Sequence, residues 1–185
     1  STVIADTAAP ILSSSLPAHN SQGITFDSNI VLTFNENVVV GTGNIIIHKT
    51  SDDSVIETID VTSNLVTFNG TTGVTINPTN NLDNFTEYYI LIDSGAIKDT
   101  ANNNYAGISS TTGLSFKTAY QFSANKADLQ TAVDLWIDDN SAALNTYGEI
   151  NTWDVSAITD MSLLFVAKNT FNDNINNWDV STVTN

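Results

Sequence analysis

The sequence contains no cysteine, and its basic residues are five lysines with no arginine. Without cysteine, the chain has no disulfide bonds, no thiolate metal ligands and no cysteine nucleophile. Twenty aspartates and glutamates give a net charge of −15 at pH 7. Nucleic-acid binding needs a basic surface that displaces counterions from phosphates, so no nucleic-acid partner is expected. The same sign of charge disfavours an anionic membrane surface and suits hard divalent cations instead.

Long apolar runs are also missing, although 41% of the residues are apolar, which is enough to form a core. No run approaches the roughly 20 residues of a membrane-spanning helix, so membrane insertion is not expected. The first ten residues, STVIADTAAP, lack the charged start and apolar centre of a signal peptide. The sequence stops within a repeating pattern at Val183-Thr184-Asn185, so we expect it to be part of a longer chain.

Residues 1–119 have the pattern of an antiparallel β-sandwich. Short runs rich in Val, Ile, Thr, Phe and Tyr alternate with Gly, Asn, Asp and Ser, and no helical pattern separates them. Ile30, Leu32 and Phe34 alternate with smaller or polar residues, as in a strand with one buried face. Asn69-Gly70 lies between two such runs and predicts a hairpin.

The sequence pattern changes near Tyr120, and residues 120–185 are predicted to form a second domain. Asn125 is a good N-cap, and apolar residues then follow at helical spacing, which predicts an amphipathic helix from Lys126 to about Asp139. A second short helix is expected from Ser141 to the turn at Tyr147-Gly148.

A 25-residue internal repeat is the most specific feature of this second domain. Residues 150–160 (INTWDVSAITD) match residues 175–185 (INNWDVSTVTN), and Trp153 and Trp178 hold equivalent positions. A period of this length is typical of leucine-rich solenoids, in which each unit supplies a strand and a short helix. We therefore expect a strand from Ile150 to Val155, with the preceding amphipathic helix as an N-terminal cap.

Residues 6–118 resemble the bacterial Ig-like domain of S-layer proteins and large adhesins. The resemblance rests on several segments: Asp6-Thr-Ala-Ala-Pro10, Ile30-Val-Leu-Thr-Phe-Asn-Glu-Asn-Val38, Gly41-Thr-Gly-Asn-Ile45, Tyr88-Tyr89, Gly95-Ala-Ile-Lys-Asp99 with Asn102, and Leu114-Ser-Phe-Lys-Thr118. Residues from about 122 onward resemble the BspA-like leucine-rich surface-protein repeat, with the signature Trp-Asp-Val-Ser-x-Ile/Val-Thr-Asp/Asn.

Together the two resemblances imply a mainly β chain. An Ig-like antiparallel β-sandwich would be followed by a helical cap and the start of a leucine-rich-type α/β repeat. They also imply an extracellular, cell-surface location and a role in adhesion or in a surface layer, with a host or neighbouring-cell surface protein or a polysaccharide as partner. Such repeats usually occur in arrays, whereas this sequence holds one complete unit and part of a second.

A calcium site is the sharpest chemical hypothesis. The loop from Lys98 to Asn104 carries Asp99, Asn102 and Asn104, whose oxygens are of the type that calcium prefers. Asp6 and Asp27 are further candidate ligands. The alternative is that these residues form turns, because Asp and Asn side chains bond nearby backbone groups. No cofactor other than Ca²⁺ is expected.

Two pairs of equivalent residues in the repeat are further candidates for binding, and each pair also has a structural interpretation. Asp154 and Asp179 are either a ladder of ligands or, as we favour, acceptors for backbone amides after each strand. Trp153 and Trp178 are either an exposed platform for sugar or, as we favour, stacked core residues. The cut end around Ile175, Trp178 and Val180 is expected to expose apolar surface and to promote self-association or fraying.

No sequence motif supports catalysis. His19 and His48 lie in unrelated contexts, and no phosphate-binding loop or metalloprotease signature is present. We therefore expect a non-catalytic spacer and repeat module for adhesion or ligand binding. Three alternatives stay open: a structural surface-layer component without a ligand, a carbohydrate-binding accessory module of a secreted hydrolase, and an enzyme in its own right.

Overall fold

In the computed structural model, which describes residues 5–185, eleven β-strands precede two α-helices. The strands are β1 (Leu12–Leu16), β2 (Ser21–Ile24), β3 (Ile30–Phe34), β4 (Val38–Val40), β5 (Asn44–Lys49), β6 (Val55–Asp60), β7 (Val66–Phe68), β8 (Gly73–Ile76), β9 (Glu87–Ile92), β10 (Ile97–Asp99) and β11 (Ser115–Thr118). The helices are α1 (Lys126–Asp138) and α2 (Asn140–Tyr147), followed by a 3-10 turn at Ile150–Thr152. This arrangement confirms the predicted mainly β fold that ends in short helices.

The described chain divides into two compact units. The first comprises residues 5–21, 27–82 and 86–117, and the second comprises residues 22–26, 83–85 and 118–185. Residues 1–4 of the predicted first domain lie outside the described residues.

The first unit is built from antiparallel sheets. One sheet has the strand order β1-β3-β8-β7, and another runs β11-β9-β5-β6 within this unit. β4 pairs with β10 in a separate two-stranded ribbon, with Val38 opposite Asp99. The predicted hairpin at Asn69-Gly70 is the connection between the antiparallel strands β7 and β8.

Strand periodicity explains how the core of this unit forms. In β3, Ile30, Leu32 and Phe34 are at most 2% exposed, while the two residues between them are half-buried, as the alternation predicted. Ile45 and Ile47 repeat this pattern in β5. Phe34 also packs edge-to-face against Tyr105, with ring centroids 5.1 Å apart.

The two helices of the second unit begin at polar caps. Asn125 accepts a hydrogen bond from the amide of Ala127, so α1 begins where the sequence predicted. Asp139 accepts one from the amide of Ala142 and starts α2. None of the helices in the described residues is long and apolar enough to span a membrane.

Both helices pack on a core that includes the two repeats. The fully or nearly fully buried residues are Phe122, Leu129, Ala132, Val133, Trp136, Ala143, Ile150, Trp153, Val155, Ile158, Leu164 and Trp178. Trp153 lies edge-to-face against Trp136 and stacks on Trp178 at an interplanar angle of 20° and a centroid distance of 6.1 Å. The indoles of the two repeats are therefore core residues and not an exposed sugar platform.

The predicted strand from Ile150 to Val155 is wrong. Residues 150–152 form a 3-10 turn instead, closed by a hydrogen bond from the amide of Trp153 to the carbonyl of Ile150. The second repeat closes the same turn from Trp178 to Ile175. Ile150 and Trp153, three residues apart, are both 2% exposed, a spacing that fits a 3-10 turn with three residues per turn and not a strand with a period of two. The specific leucine-rich assignment is not confirmed and stays a prediction.

We predict that Gly41→Ala destabilises the first unit by about 3 kcal/mol, a typical cost of overpacking. A methyl group at Gly41 would lie 1.9 Å from the carbonyl oxygen of Gly95, where the backbones meet beside the β4–β10 ribbon. Urea unfolding measures the loss. Gly70→Ala is the control. A methyl group at Gly70 would have no atom within 4 Å, so the only cost is that of a side chain at the positive φ of +78°. We expect this variant to lose about 1 kcal/mol of unfolding free energy. Equal losses for the two variants would contradict the steric argument.

Candidate functional site

A groove of about 290 Å³ runs along the two repeats of the second unit. Its lining residues are mostly small and polar: Gln22, Gly23, Thr25, Ala119, Asn151, Thr152, Trp153, Asp154, Ser156, Asn177 and Asp179. Asp154 and Asp179 hold equivalent positions in the repeat, so the 25-residue period places the same carboxylate twice along one groove.

The backbone of the groove is held by the carboxylates that line it. Asp154 Oδ1 accepts hydrogen bonds from the amide and the hydroxyl of Ser156, at 3.0 and 2.6 Å, and its Oδ2 accepts one from Gln121 Nε2. Asp179 Oδ1 accepts a bond from the amide of Ser181 at 2.9 Å. Hydrogen bonding from Ser181 lowers the pKa of Asp179 below its usual value, so this carboxylate is ionised at neutral pH. The favoured structural role of both aspartates is thus observed.

A second candidate lies in the first unit, where Asp6, Glu36 and Asp99 form an acidic cluster. One carboxylate oxygen from each lies within 4.8 Å of the others, and this is the single such group among residues 5–185. Asp6 is exposed, Glu36 is half-buried and Asp99 is only 1% exposed.

Strand pairing and one asparagine assemble the acidic cluster. The β4–β10 register sets Asp99 opposite Val38, two residues after Glu36. Asn103 Nδ2 donates to Asp99 Oδ2 at 2.7 Å and lies 3.1 Å from the backbone oxygen of Asp6. Asp99 Oδ1 accepts the amides of Ala101 and Asn103 at 2.8 and 2.7 Å.

Half-buried Glu36 and buried Asp99 have opposite pKa shifts. Burial raises the pKa of Glu36, and the negative charges of Asp6 and Asp99 raise it further. Burial also acts to raise the pKa of Asp99, but hydrogen bonds from Asn103, Ala101 and Asn102 outweigh it and leave that pKa below its usual value. Among the acidic cluster, the ionised form of Glu36 is therefore the least favoured, because burial and like charges act on it without the hydrogen bonds that residues 5–185 supply to Asp99.

The structure brings together two of the five predicted metal ligands, Asp6 and Asp99. Asp27 is exposed and is not part of the acidic cluster. Asn102 and Asn104 are exposed in the loop after β10, and Asn102 has a positive φ of 71° that is typical of a turn residue. Sequence reasoning missed Glu36 and Asn103. Asn103 lies inside the loop that the sequence analysis singled out. Glu36 is far from that loop in the sequence, and its neighbouring residues carry no pattern that predicts a contact with the loop.

The two histidines have structural contacts. His19 Nδ1 lies 3.2 Å from the amide of Ser115, and His48 stacks on Tyr89 with ring centroids 4.7 Å apart. His48 Nδ1 also lies 3.0 Å from the backbone oxygen of Asp53.

These features define a class of chain in which an antiparallel β-sandwich accompanies a helix-capped tandem repeat. A family model described as the bacterial Ig-like domain matches residues 6–118. Because this match spans more than half of the sequence, the chain belongs to the bacterial Ig-like domain family.

The remaining comparisons concern the repeat and the fold. A model described as a Mycoplasma protein of unknown function, DUF285, matches residues 137–185, which contain both repeats. Among solved structures, the chain is similar to the S-layer protein rSbsC(31-844), with a TM-score of 0.40 and 15% sequence identity. That similarity covers 61% of this chain and 14% of the S-layer protein. No curated protein matches the sequence.

We predict that Asp99→Asn flattens the acid limb of the stability-versus-pH curve. A carboxyl group whose folded-state pKa is depressed contributes stability above its unfolded pKa and loses it as the pH falls through the folded value. Thermal unfolding between neutral and acidic pH measures the effect. Asp27→Asn, at an exposed position outside the acidic cluster, is the control and is expected to keep the original curve. An unchanged curve for Asp99→Asn would contradict the prediction.

Proposed function

We propose that the chain is a non-catalytic module of an extracellular bacterial surface protein. In this proposal the Ig-like unit is a spacer and the repeat unit presents a face for adhesion or ligand binding. Membership of the bacterial Ig-like family supports the surface role. The excess of negative charge supports a partner other than nucleic acid or an anionic membrane. The structural contacts of both histidines support a role without catalysis.

The observation that carries the proposed binding role is the groove along the repeats. Its amide, hydroxyl and carboxylate groups suit a ligand rich in hydroxyl or amide groups, such as a polysaccharide or an extended peptide of a host or neighbouring-cell surface protein. The Asn177 side chain is exposed and lines the groove, while its backbone amide donates to Asn151 Oδ1 at 3.0 Å. Its side chain is thus available to a ligand, while its backbone is fixed.

We predict that Asn177→Ala weakens binding in the groove at least about tenfold, since a site that loses a hydrogen bond leaves a polar partner unpaired. Isothermal titration against a panel of polysaccharides and surface-protein peptides measures this loss. Asn176→Ala changes the neighbouring exposed asparagine, which lies outside the groove lining, and is the matched control.

The panel also separates the alternatives. Binding restricted to polysaccharides would favour a carbohydrate-binding module, and binding restricted to peptides would favour a protein adhesin. Binding that both variants retain would place the site elsewhere on the chain. No binding to any member of the panel would overturn the binding role and favour a structural component of a surface layer.

We further propose that the acidic cluster binds Ca²⁺. Ligand oxygens lie about 2.3–2.6 Å from a calcium ion, so two of them are separated by at most about 5 Å, and the three carboxylates meet this limit. Calcium takes six to eight oxygens, and carbonyl groups or water would complete the set. The raised pKa of Glu36 supports the proposal, because a divalent cation would offset the repulsion from Asp6 and Asp99.

The calcium proposal predicts that a chelator lowers the melting temperature of the original chain and that Glu36→Gln removes this response. A ligand that binds only the folded state stabilises it by mass action, so removing a cluster ligand removes the effect. Without calcium, Glu36→Gln should be at least as stable as the original chain, because the substitution removes a repelled charge. Differential scanning calorimetry with calcium and with excess chelator measures both.

Asp27→Asn is the control here too and should keep the chelator response. A chelator response that survives in Glu36→Gln would place the calcium elsewhere. No response in the original chain would contradict the calcium proposal and leave Asp6 and Asp99 with their turn hydrogen bonds as their role.

A further inference from the structure

A cavity of about 450 Å³ opens on the first unit. All of its lining residues belong to that unit, and none belongs to the acidic cluster. Its size is within the range of small-molecule sites, but its lining is polar, whereas such sites are mostly apolar. An imidazole, an amide, two carboxylates and a buried phenol line it, from His19, Asn20, Asp53, Glu87 and Tyr89. Such a lining favours a small polar ligand.

Ser115, the first residue of β11, holds the imidazole and the amide in place. Its backbone amide donates to His19 Nδ1 at 3.2 Å, and its hydroxyl donates to Asn20 Oδ1 at 2.9 Å. The Asn20 backbone amide in turn donates to the Ser115 carbonyl at 2.7 Å. Because His19 Nδ1 accepts, the proton of the neutral imidazole is on Nε2. Within residues 5–185 neither His19 Nε2 nor Asn20 Nδ2 has a hydrogen-bond partner, so both donors are available to a ligand.

Asp53, in the turn between β5 and β6, is held by an aromatic pair. Its backbone oxygen lies 3.0 Å from His48 Nδ1, and its Oδ1 lies 3.4 Å from the hydroxyl of Tyr89, whose ring stacks on His48. Burial raises the pKa of Tyr89, and the charge of Asp53 raises it further, so the phenol stays protonated. Asp53 Oδ2 has no partner in the described part of the chain and is an acceptor available to a ligand.

The charges around the cavity favour a neutral ligand over a cation. Burial lowers the pKa of Lys117, and the charge of Glu87, its cross-strand partner, acts in the opposite direction. A cation in the cavity would therefore compete with Lys117 for Glu87. The lining also combines the free donors of His19 and Asn20 with the free acceptor of Asp53. A hydroxyl group both donates and accepts, so a ligand with several adjacent hydroxyls can use all three side chains.

We propose that this cavity of the first unit binds a neutral sugar through adjacent hydroxyl groups. His19 Nε2 and Asn20 Nδ2 would donate to the sugar, and Asp53 Oδ2 would accept from it. The inference gives the Ig-like unit a ligand of its own, beyond the role of a spacer. It is independent of the groove, whose lining residues all belong to the second unit, and of the calcium proposal.

Amide NMR spectra of the full chain test the proposal during titration with the methyl glycosides of glucose, galactose and mannose. We expect at least one glycoside to shift the amide signals of His19, Asn20 and Asp53 together, with one dissociation constant. The assignment of the shifted signals separates this cavity from the groove, because the two sites share no residue.

Asn20→Asp is the variant that isolates a single donor. It keeps the acceptor of the Ser115 hydroxyl and suits the positive φ of 61°, but it removes the Nδ2 donor. We expect it to weaken glycoside binding about tenfold, since a ligand hydroxyl loses its partner. Asn102→Asp is the matched control, because it makes the same change at an exposed residue outside the cavity with a φ of 71°. It should leave the affinity unchanged.

Three results would overturn the proposal. The first is the absence of shifts at these amides with every glycoside, including the case in which only groove residues such as Asn151 and Asn177 respond. The second is an equal loss of affinity in Asn20→Asp and Asn102→Asp. The third is a response to methylammonium chloride without a response to any glycoside, which would assign the cavity to cations. Asn177→Ala, which alters the groove, should leave glycoside binding in the cavity unchanged, so the two binding proposals fail separately.

Discussion

The stack of Trp153 on Trp178 sets the register on which the second unit depends. The two indoles lie 6.1 Å apart, and each ring nitrogen donates to a backbone carbonyl, of Gly148 and of Ile150. An indole buried in this way makes a hydrogen bond with its ring nitrogen and fills a large volume. A shift of one repeat against the other by one residue would therefore lose both the hydrogen bond and the packing of the ring. Every other equivalence between the repeats follows from this register, including the paired aspartates of the groove.

Much of the acidity of the chain serves its turns. In both units an aspartate side chain accepts the amide of the residue two positions later; such pairs are Asp6 with Ala8, Asp52 with Ser54, Asp60 with Thr62, Asp99 with Ala101, Asp154 with Ser156, Asp160 with Ser162 and Asp179 with Ser181. These carboxylates replace part of the hydrogen bonding that a longer strand or helix would supply. A large negative charge is therefore compatible with a mostly structural use of the acidic residues. Glu36 differs from these aspartates because the negative charges of Asp6 and Asp99 add to burial in raising its pKa.

Local patterns of the sequence predicted the local structure well. The alternation of Ile30, Leu32 and Phe34, the cap at Asn125 and the spacing of the following helix each depend on neighbours within one or two turns of chain. The acidic cluster depends on pairing between distant strands, so Glu36 was not predicted, although Asp6 and Asp99 were. The turn at Ile150 was mistaken for a strand because a repeat of period 25 does not distinguish a strand from a tight turn with the same buried positions.

Salt bridges of the second unit join helix α1 to the segment that follows the first repeat's turn. Lys126 Nζ lies 3.3 Å from Asp160 and 2.7 Å from the Ser162 hydroxyl, and Lys168 pairs with Asp134. These are two of the five basic residues of the chain. Proteases of the trypsin type cleave after a lysine or arginine that enters a recognition pocket, so the chain offers them few bonds to cleave. At two of those bonds the lysine must first break its ion pair with a carboxylate. The resistance of the chain to cleavage at these bonds then depends on how rarely α1 opens locally.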